Sequence, residues 1–196
     1  MENNLPAKVL VVYAHPQVEG HCSTLLSEVR KILSEKKADY EILDLYGKNY
    51  DPALHENELF TSGNRDISGD NLAIQEQIKN SSRFIFVYPV WWSSMPASLK
   101  GFFDRVLTPR FAYRYEGMIP KKLLTGKKAL VFMTSGSPKI YLWLTGNRPK
   151  KLIKRDILGF CGIKAKVVQI GGCRKWKEEK IPGLKKIVGR ELEKFM

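Results

Sequence analysis

The amino-acid sequence predicts a doubly wound α/β fold: a five-stranded parallel sheet in the order 2-1-3-4-5, covered by helices on both faces, within a single domain spanning 1–196. Three observations predict it. Strand-like apolar runs alternate with helix-like patterns along the chain, the arrangement of repeated strand–helix–strand units. Three of those runs are continuously apolar, as expected of strands buried on both faces. The segments between runs are long enough for helical crossovers, which join parallel strands with right-handed connections. A chain of 196 residues can also bury a sizeable core without staples.

The elements follow in order. "KVLVVYAH" (8–15) is the first buried strand, and "STLLSEVRKILSEKK" (23–37) a helix with Leu26, Val29, Ile32 and Leu33 on one face and Ser23 or Thr24 as candidate caps. "YEILDLY" (40–46) alternates as a strand, and "NLAIQEQIKNS" (71–81) reads as a helix. "RFIFVYPV" (83–90) is the second buried strand, leading to "PASLKGFFDRVL" (96–107), a helix with Pro96 at its first turn. "KKALVFMTSG" (127–136) is the third buried strand. A helix over 147–160, the strand "KAKVVQIGG" (164–172) and a terminal helix over 181–195 complete the chain.

Charge is the unusual total. Residues 1–118 carry 13 Lys and Arg against 15 Asp and Glu, whereas residues 119–196 carry 20 against 5. A basic half of this kind is a solvated face, or it attracts anionic lipid headgroups, nucleic acid or a phosphate-bearing substrate. No RNA-binding signature, zinc finger or helix-turn-helix spacing accompanies it, which argues against nucleic acid. Cys22, Cys161 and Cys173 are few and widely spaced, without CxxC, which points to a reducing cytoplasm and away from a disulfide framework or a structural zinc. The apolar runs are strand-sized, short of a membrane span, and "MENNLPAK" lacks the apolar core of a signal peptide. The expected location is the cytoplasm, with peripheral contact to an anionic inner membrane surface or a membrane partner left open by the basic half.

In a doubly wound sheet, ligands bind beyond the carboxyl ends of the strands, at the switch point between the first and third. Three segments converge there: "HPQVEGHCST" (15–24), "PVWWSSMP" (89–96) and "TSGSPKIY" (134–141). The first offers His15, His21, Cys22, Ser23 and Thr24 leading into a helix N-terminus, a natural phosphate site; the competing reading is that His15 and Ser23 only cap the strand and the helix. His15, His21 and Cys22 lack metal-ligand spacing and a carboxylate partner, so no metal site is expected. In the second, prolines 89 and 96 stiffen a loop whose amides at 90–93 are expected to face a ring edge, with an indole as wall; core or dimer packing is the commoner role for a tryptophan pair. The third supplies the small residues Thr134, Ser135, Gly136 and Ser137, which let backbone approach a planar ring, and Tyr141 adds a hydroxyl. Neither GxGxxG nor a Walker sequence is present. Hydrolysis finds no GxSxG elbow, and no histidine follows position 55. A receiver domain would need carboxylates at the first and third strand ends, which are missing.

With these residues in view, the chain resembles the NAD(P)H:quinone oxidoreductase family, the flavodoxin-like group that includes mammalian quinone reductases, the bacterial modulator of drug activity B and ancillary proteins of potassium efflux systems. The resemblance runs over roughly residues 8–170. It is carried by "VYAHP" (12–16), by "YPVWWSSMPASLKGFFDRV" (88–106) with its P-x-x-W-x-x-x-P-x-x-L-K-G spacing, by "FAYRY" (111–115) and by "TSGS" and Tyr141 over 134–141. It implies a flavin, FMN or FAD, with NAD(P)H as co-substrate and a quinone-like acceptor in a ping-pong hydride transfer; the short chain and the altered phosphate loop favour FMN. His15 and residues 21–24 are then expected at the flavin phosphate, Pro89, Val90, Trp91, Trp92 and Ser93 along the isoalloxazine edge, and Thr134, Ser135, Gly136, Ser137 and Tyr141 at its pyrimidine end. A homodimer is implied, with Tyr113 and Tyr115 reaching toward the site across the interface. Two departures stand out. Cys22 or Ser23 occupies a region where relatives often have Asn, and Asn147 stands where the mammalian enzymes carry a histidine six residues after the tyrosine. The catalytic candidates are therefore Tyr141, Asn147 and Trp92. A flavodoxin-type electron carrier and a regulatory flavoprotein subunit of a membrane transporter are the alternatives.

Overall fold

A computed structural model describes residues 8–63 and 66–196 of the chain. Five parallel strands form the central sheet: β1 (Val9–Tyr13), β2 (Tyr40–Asp44), β3 (Arg83–Pro89), β6 (Lys128–Thr134) and β7 (Lys164–Ile170), in the order β2-β1-β3-β6-β7. The order is the expected one once a small antiparallel hairpin, β4 (Tyr113–Glu116) and β5 (Ile119–Lys122), is set aside. The sequence pattern did not reveal that hairpin. Its strands are exposed and polar, and Pro120 demotes a strand reading; Gly117, at φ 65°, opens the two-residue turn that joins them.

The continuous apolar runs have a direct cause. Along β1, Val9, Val11 and Tyr13 enter one core layer, beneath α1 (His21–Glu35) and α6 (Ile181–Phe195). The alternate residues, Leu10 and Val12, enter the other layer, beneath α2 (Gly69–Asn80), α3 (Ala97–Val106) and the helix that begins as α5 (Arg148–Lys151). That last helix continues over Leu152–Gly159 with π winding, and sends Ile153 and Leu158 into the core. One row across the sheet shows the register: Ile42, Val11, Ile85, Leu130 and Lys166. It ends on a lysine because β7 is an edge, and charged side chains there discourage further pairing.

Helix α1 departs from expectation at its start. It begins at His21, two residues early, with Gly20 as its N-cap and no side-chain cap. Ser23 and Thr24 lie inside the first turn and donate their hydroxyls to the Gly20 carbonyl at 3.0 and 2.9 Å. Leu25, Val29 and Leu33 are fully buried, worth about 1.5–3 kcal/mol each, whereas Leu26 and Ile32 sit at the margin of that layer. The shift matters for the site, because it leaves the first amides of α1 open at the carboxyl end of β1.

Candidate active site

Beyond the carboxyl ends of β1, β3 and β6 lies a cavity of about 890 Å³. His15 and Gln17 contribute from the end of β1, Gly20, His21 and Cys22 from the start of α1, and 89–93 from the end of β3. Residues 134–138 add the β6 wall, with Tyr141 and Leu142 of α4 (Lys139–Leu144) at one side.

The loop after β3 is a tight turn. Trp91 N–H donates to the Ser94 carbonyl at 3.1 Å and Ser94 N–H to the Trp91 carbonyl at 2.8 Å, so Trp92 and Ser93 occupy the two central positions. Both are left-handed, at φ 51° and 57°, the geometry of a type I′ turn that normally selects glycine or asparagine. Val90 N–H is also engaged, by the Thr134 carbonyl at 2.6 Å. Of the four amides expected to face a ring, Val90 and Trp91 are therefore spent within the protein. Among the described residues, the N–H groups of Trp92 and Ser93 have no partner, and they stand where the cavity passes. The Trp92 ring is fully exposed, and Trp91 lies 6.0 Å from His15 between ring centres.

His15 accepts a hydrogen bond at Nδ1 from Gln17 N–H at 3.0 Å, which assigns the proton of its neutral ring to Nε2. Burial lowers its pKa, outweighing that contact, so the ring is neutral at pH 7. His21 is also pushed down, by burial first, then by the Lys180 charge and by repulsion from His15 wherever that ring is protonated. Its ring meets Trp176 edge-on at 5.0 Å, and its buried Nε2 has no hydrogen-bond partner. A buried unpaired nitrogen is costly unless a ligand completes it. Together with the uncapped helix start, it fits an oxyanion such as a phosphate. Cys22 points the other way: its thiol lies 3.2 Å from Thr134 Oγ1, and burial pushes its pKa up to about 12, which keeps it protonated and unreactive.

The β6 loop is tied down from both sides. Ser135 N–H donates to the Ile170 carbonyl at 2.8 Å, and its own carbonyl receives Cys173 N–H at 2.8 Å. Ser137 N–H caps on Ser135 Oγ at 3.1 Å. These bonds draw in a fourth loop, after β7, and Cys173, Arg174 and Trp176 complete the cavity wall. Sequence reading did not single out that loop, although the signal was present: an aromatic and several cations follow directly on a strand's carboxyl end.

The structure separates some of the candidates. Ser23 and Thr24 line a neighbouring cavity of about 400 Å³ between α1 and α6, which shares Gly20 and Trp176 with the first. Tyr141 is exposed at the mouth of the main cavity. Asn147 is not on its wall: with φ 52° it turns the chain between α4 and α5, its N–H donating to the Leu142 carbonyl at 2.8 Å. Asparagine tolerates that backbone better than other residues.

An open parallel sheet with an uncapped helix start and two unpartnered amides at its switch point is the architecture of flavodoxin-like α/β proteins. Comparison with known proteins narrows it. The family model for the flavodoxin-like fold matches residues 7–184. Human ribosyldihydronicotinamide dehydrogenase [quinone] is 31% identical over 185 residues, covering 83% of this chain and 80% of its own. The NAD(P)H:quinone oxidoreductase from Methanothermobacter marburgensis superposes with a TM-score of 0.82 at 27% identity, covering 96% of this chain and 98% of that one. An FMN-dependent NADH-azoreductase from Bacillus anthracis, solved in complex with FMN, shares the fold with a TM-score of 0.74 at 19% identity, covering 94% and 98%. The chain belongs to the flavodoxin-like NAD(P)H:quinone oxidoreductase family.

Proposed function

We propose that the chain is a flavoprotein reductase that passes two electrons from a dihydronicotinamide to a flat quinone-like acceptor. The observation that carries this reading is the pair of unspent amides at Trp92 and Ser93, held in a strained turn beside a cavity large enough for a ring cofactor and a stacked substrate. A bound flavin supplies the hydride chemistry. The protein's part is placement. The amides of Trp92 and Ser93 hold the ring edge, and the indoles of Trp91 and Trp92 form the wall against which donor and acceptor stack in turn. Thr134, Ser135, Gly136 and Ser137 would line the ring's pyrimidine end. His21 Nε2 and the first amides of α1 hold the phosphate. The Tyr141 hydroxyl stands at the mouth, where a proton must reach the acceptor.

FMN is the favoured cofactor. Gly20 and Trp176 stand where the two cavities meet, and the main one by itself has the size a mononucleotide needs. FMN in the azoreductase structure agrees with this reading. The functional unit is a homodimer: Tyr115 is exposed and packs edge-on against Tyr113 at 5.8 Å, beside a hollow of about 650 Å³ that includes Leu54, Leu59 and Phe111 among charged neighbours. Cys22 and Cys161 are buried free thiols, which suits a reducing cytoplasm, and no helix among the described residues is long and apolar enough to cross a membrane.

The decisive experiment is a visible spectrum of the purified protein, followed by chromatography of the flavin that heat releases. The bands of an oxidised flavin, FMN on the column, and bleaching by NADH, NADPH or ribosyldihydronicotinamide are expected. A colourless protein that takes up neither FMN nor FAD overturns the reading. Released FAD overturns the mononucleotide assignment alone.

A further inference from the structure

We infer that the face formed by α4 and the start of α5 docks on an anionic lipid bilayer and holds the mouth of the cavity at the membrane surface. Two separate features meet there. The first is apolar. Leu142 turns into the protein at 3% exposure, whereas Ile140, Trp143 and Leu144 stand 67%, 67% and 69% exposed on the same helix. Single exposed apolar residues are ordinary; three on one short helix beside a fully exposed Trp92 are not.

The second feature is charge. From Gly117 to Arg155 the chain has ten Lys or Arg and no Asp or Glu. Arg148, Lys151, Lys154 and Arg155 are exposed on the helix that follows α4. Among the described residues Arg155 pairs with Asp156, at 3.2 Å, while Arg148, Lys151 and Lys154 make no ion pair. An acidic protein would engage these cations and leave Ile140, Trp143 and Leu144 in water unless it also carried a matching pocket. A bilayer with anionic headgroups meets both needs: the cations face phosphate, and tryptophan and aliphatic side chains enter the headgroup boundary.

The position of this face gives the docking a consequence. Tyr141 and Leu142, on the same helix, line the cavity. Docking therefore brings this side of the cavity close to the lipid. If the reductase reading holds, on which this clause rests, the acceptor is a long-chain quinone dissolved in the bilayer. The docking itself does not depend on that reading.

The test is sedimentation of the full chain with phosphatidylcholine vesicles, with and without phosphatidylglycerol, at low and high salt. Binding to the anionic vesicles alone, lost at high salt, is expected. Two surface variants should each weaken it about tenfold or more, with unchanged melting temperature and flavin content: Trp143→Ser with Leu144→Ser, and Arg148→Gln with Lys151→Gln and Lys154→Gln. Indifference to anionic vesicles at low salt overturns the proposal, as does binding that neither variant weakens. A change of oligomeric state in the Trp143→Ser, Leu144→Ser variant, without vesicle binding by the unmutated chain, assigns the face to a contact between copies and also overturns it. Flavin content is read separately, so a coloured protein that ignores vesicles refutes the docking alone. A colourless protein that binds them supports docking and refutes the reductase.

Discussion

The segment from Phe86 to Val106 contains two regions built on opposite principles. Its first half ends in the turn of Trp91 to Ser94, where two residues without glycine's freedom are left-handed, at roughly 1–2 kcal/mol each, an indole is fully in water and two amides have no partner. Its second half is α3, which is tied firmly to the rest of the fold. Gly101 lets the chain cross so closely that a Cβ there would lie 2.1 Å from the Pro52 carbonyl oxygen. One turn on, Arg105, only 7% exposed, donates from Nε and Nη2 to the two carboxylate oxygens of Glu58 at 2.8 Å and from Nη1 to the Asp51 carbonyl. The Tyr50 ring lies 5.8 Å away. The lesson is a division of labour. The helix clamps the 51–58 segment and stabilises, while the turn before it stores strain and open donors for a ligand.

That contrast can be broken from its stable side first. Arg105→Ala should cost the most, about 3 kcal/mol or more in denaturant unfolding, because it strands the Glu58 carboxylate, itself 7% exposed. Gly101→Ala should cost about 2 kcal/mol, since the new methyl meets backbone that cannot easily give. The pH dependence sharpens the point. Burial alone would raise the Glu58 pKa, but the Arg105 hydrogen bonds, the His55 N–H and the Arg105 and His55 charges together outweigh it and hold it below the ordinary 4.5. A carboxyl depressed in the folded state contributes stability that is complete above the unfolded value and disappears as pH falls through the folded one. The stability gap between the unmutated chain and Arg105→Ala should therefore shrink below pH 4.5, measured by denaturant midpoints across the acid range.

From the strained side the signs reverse. Ser93→Gly should stabilise the chain by up to about 1 kcal/mol, seen as a higher melting temperature, because glycine accepts the left-handed backbone freely. Trp92→Ala should leave stability within about 0.5 kcal/mol, as expected of an exposed side chain, yet weaken flavin retention on dialysis. If Trp92→Ala instead unfolds the protein, the turn is part of the core and the division fails.

Much of this organisation was legible beforehand. The five strands, their order and the helices between them follow from runs that are apolar on both faces. His15, the 89–93 loop, the 134–137 loop and Tyr141 do converge on one cavity. Other features were hidden for identifiable reasons. The hairpin at Tyr113–Lys122 buries too little to imprint an apolar pattern. The two extra residues at the start of α1 have no side-chain cap to announce them, and Ser23 and Thr24 line the neighbouring cavity. Asn147 sits at a left-handed turn, and Trp176 reaches the cavity on a loop after β7 that is held by the Ser135 and Ser137 carbonyls.

By itself, then, the sequence determined the sheet, its order and the location of the site, since burial on one or both faces leaves a local, periodic mark on the chain. Only the tertiary structure decided which amides remain free, which histidine nitrogen is unpaired and which carboxylate, 47 residues distant, closes on Arg105. Those facts depend on partners brought together across the fold, and a hydrogen bond satisfied from far along the chain writes no pattern into the residues on either side of it.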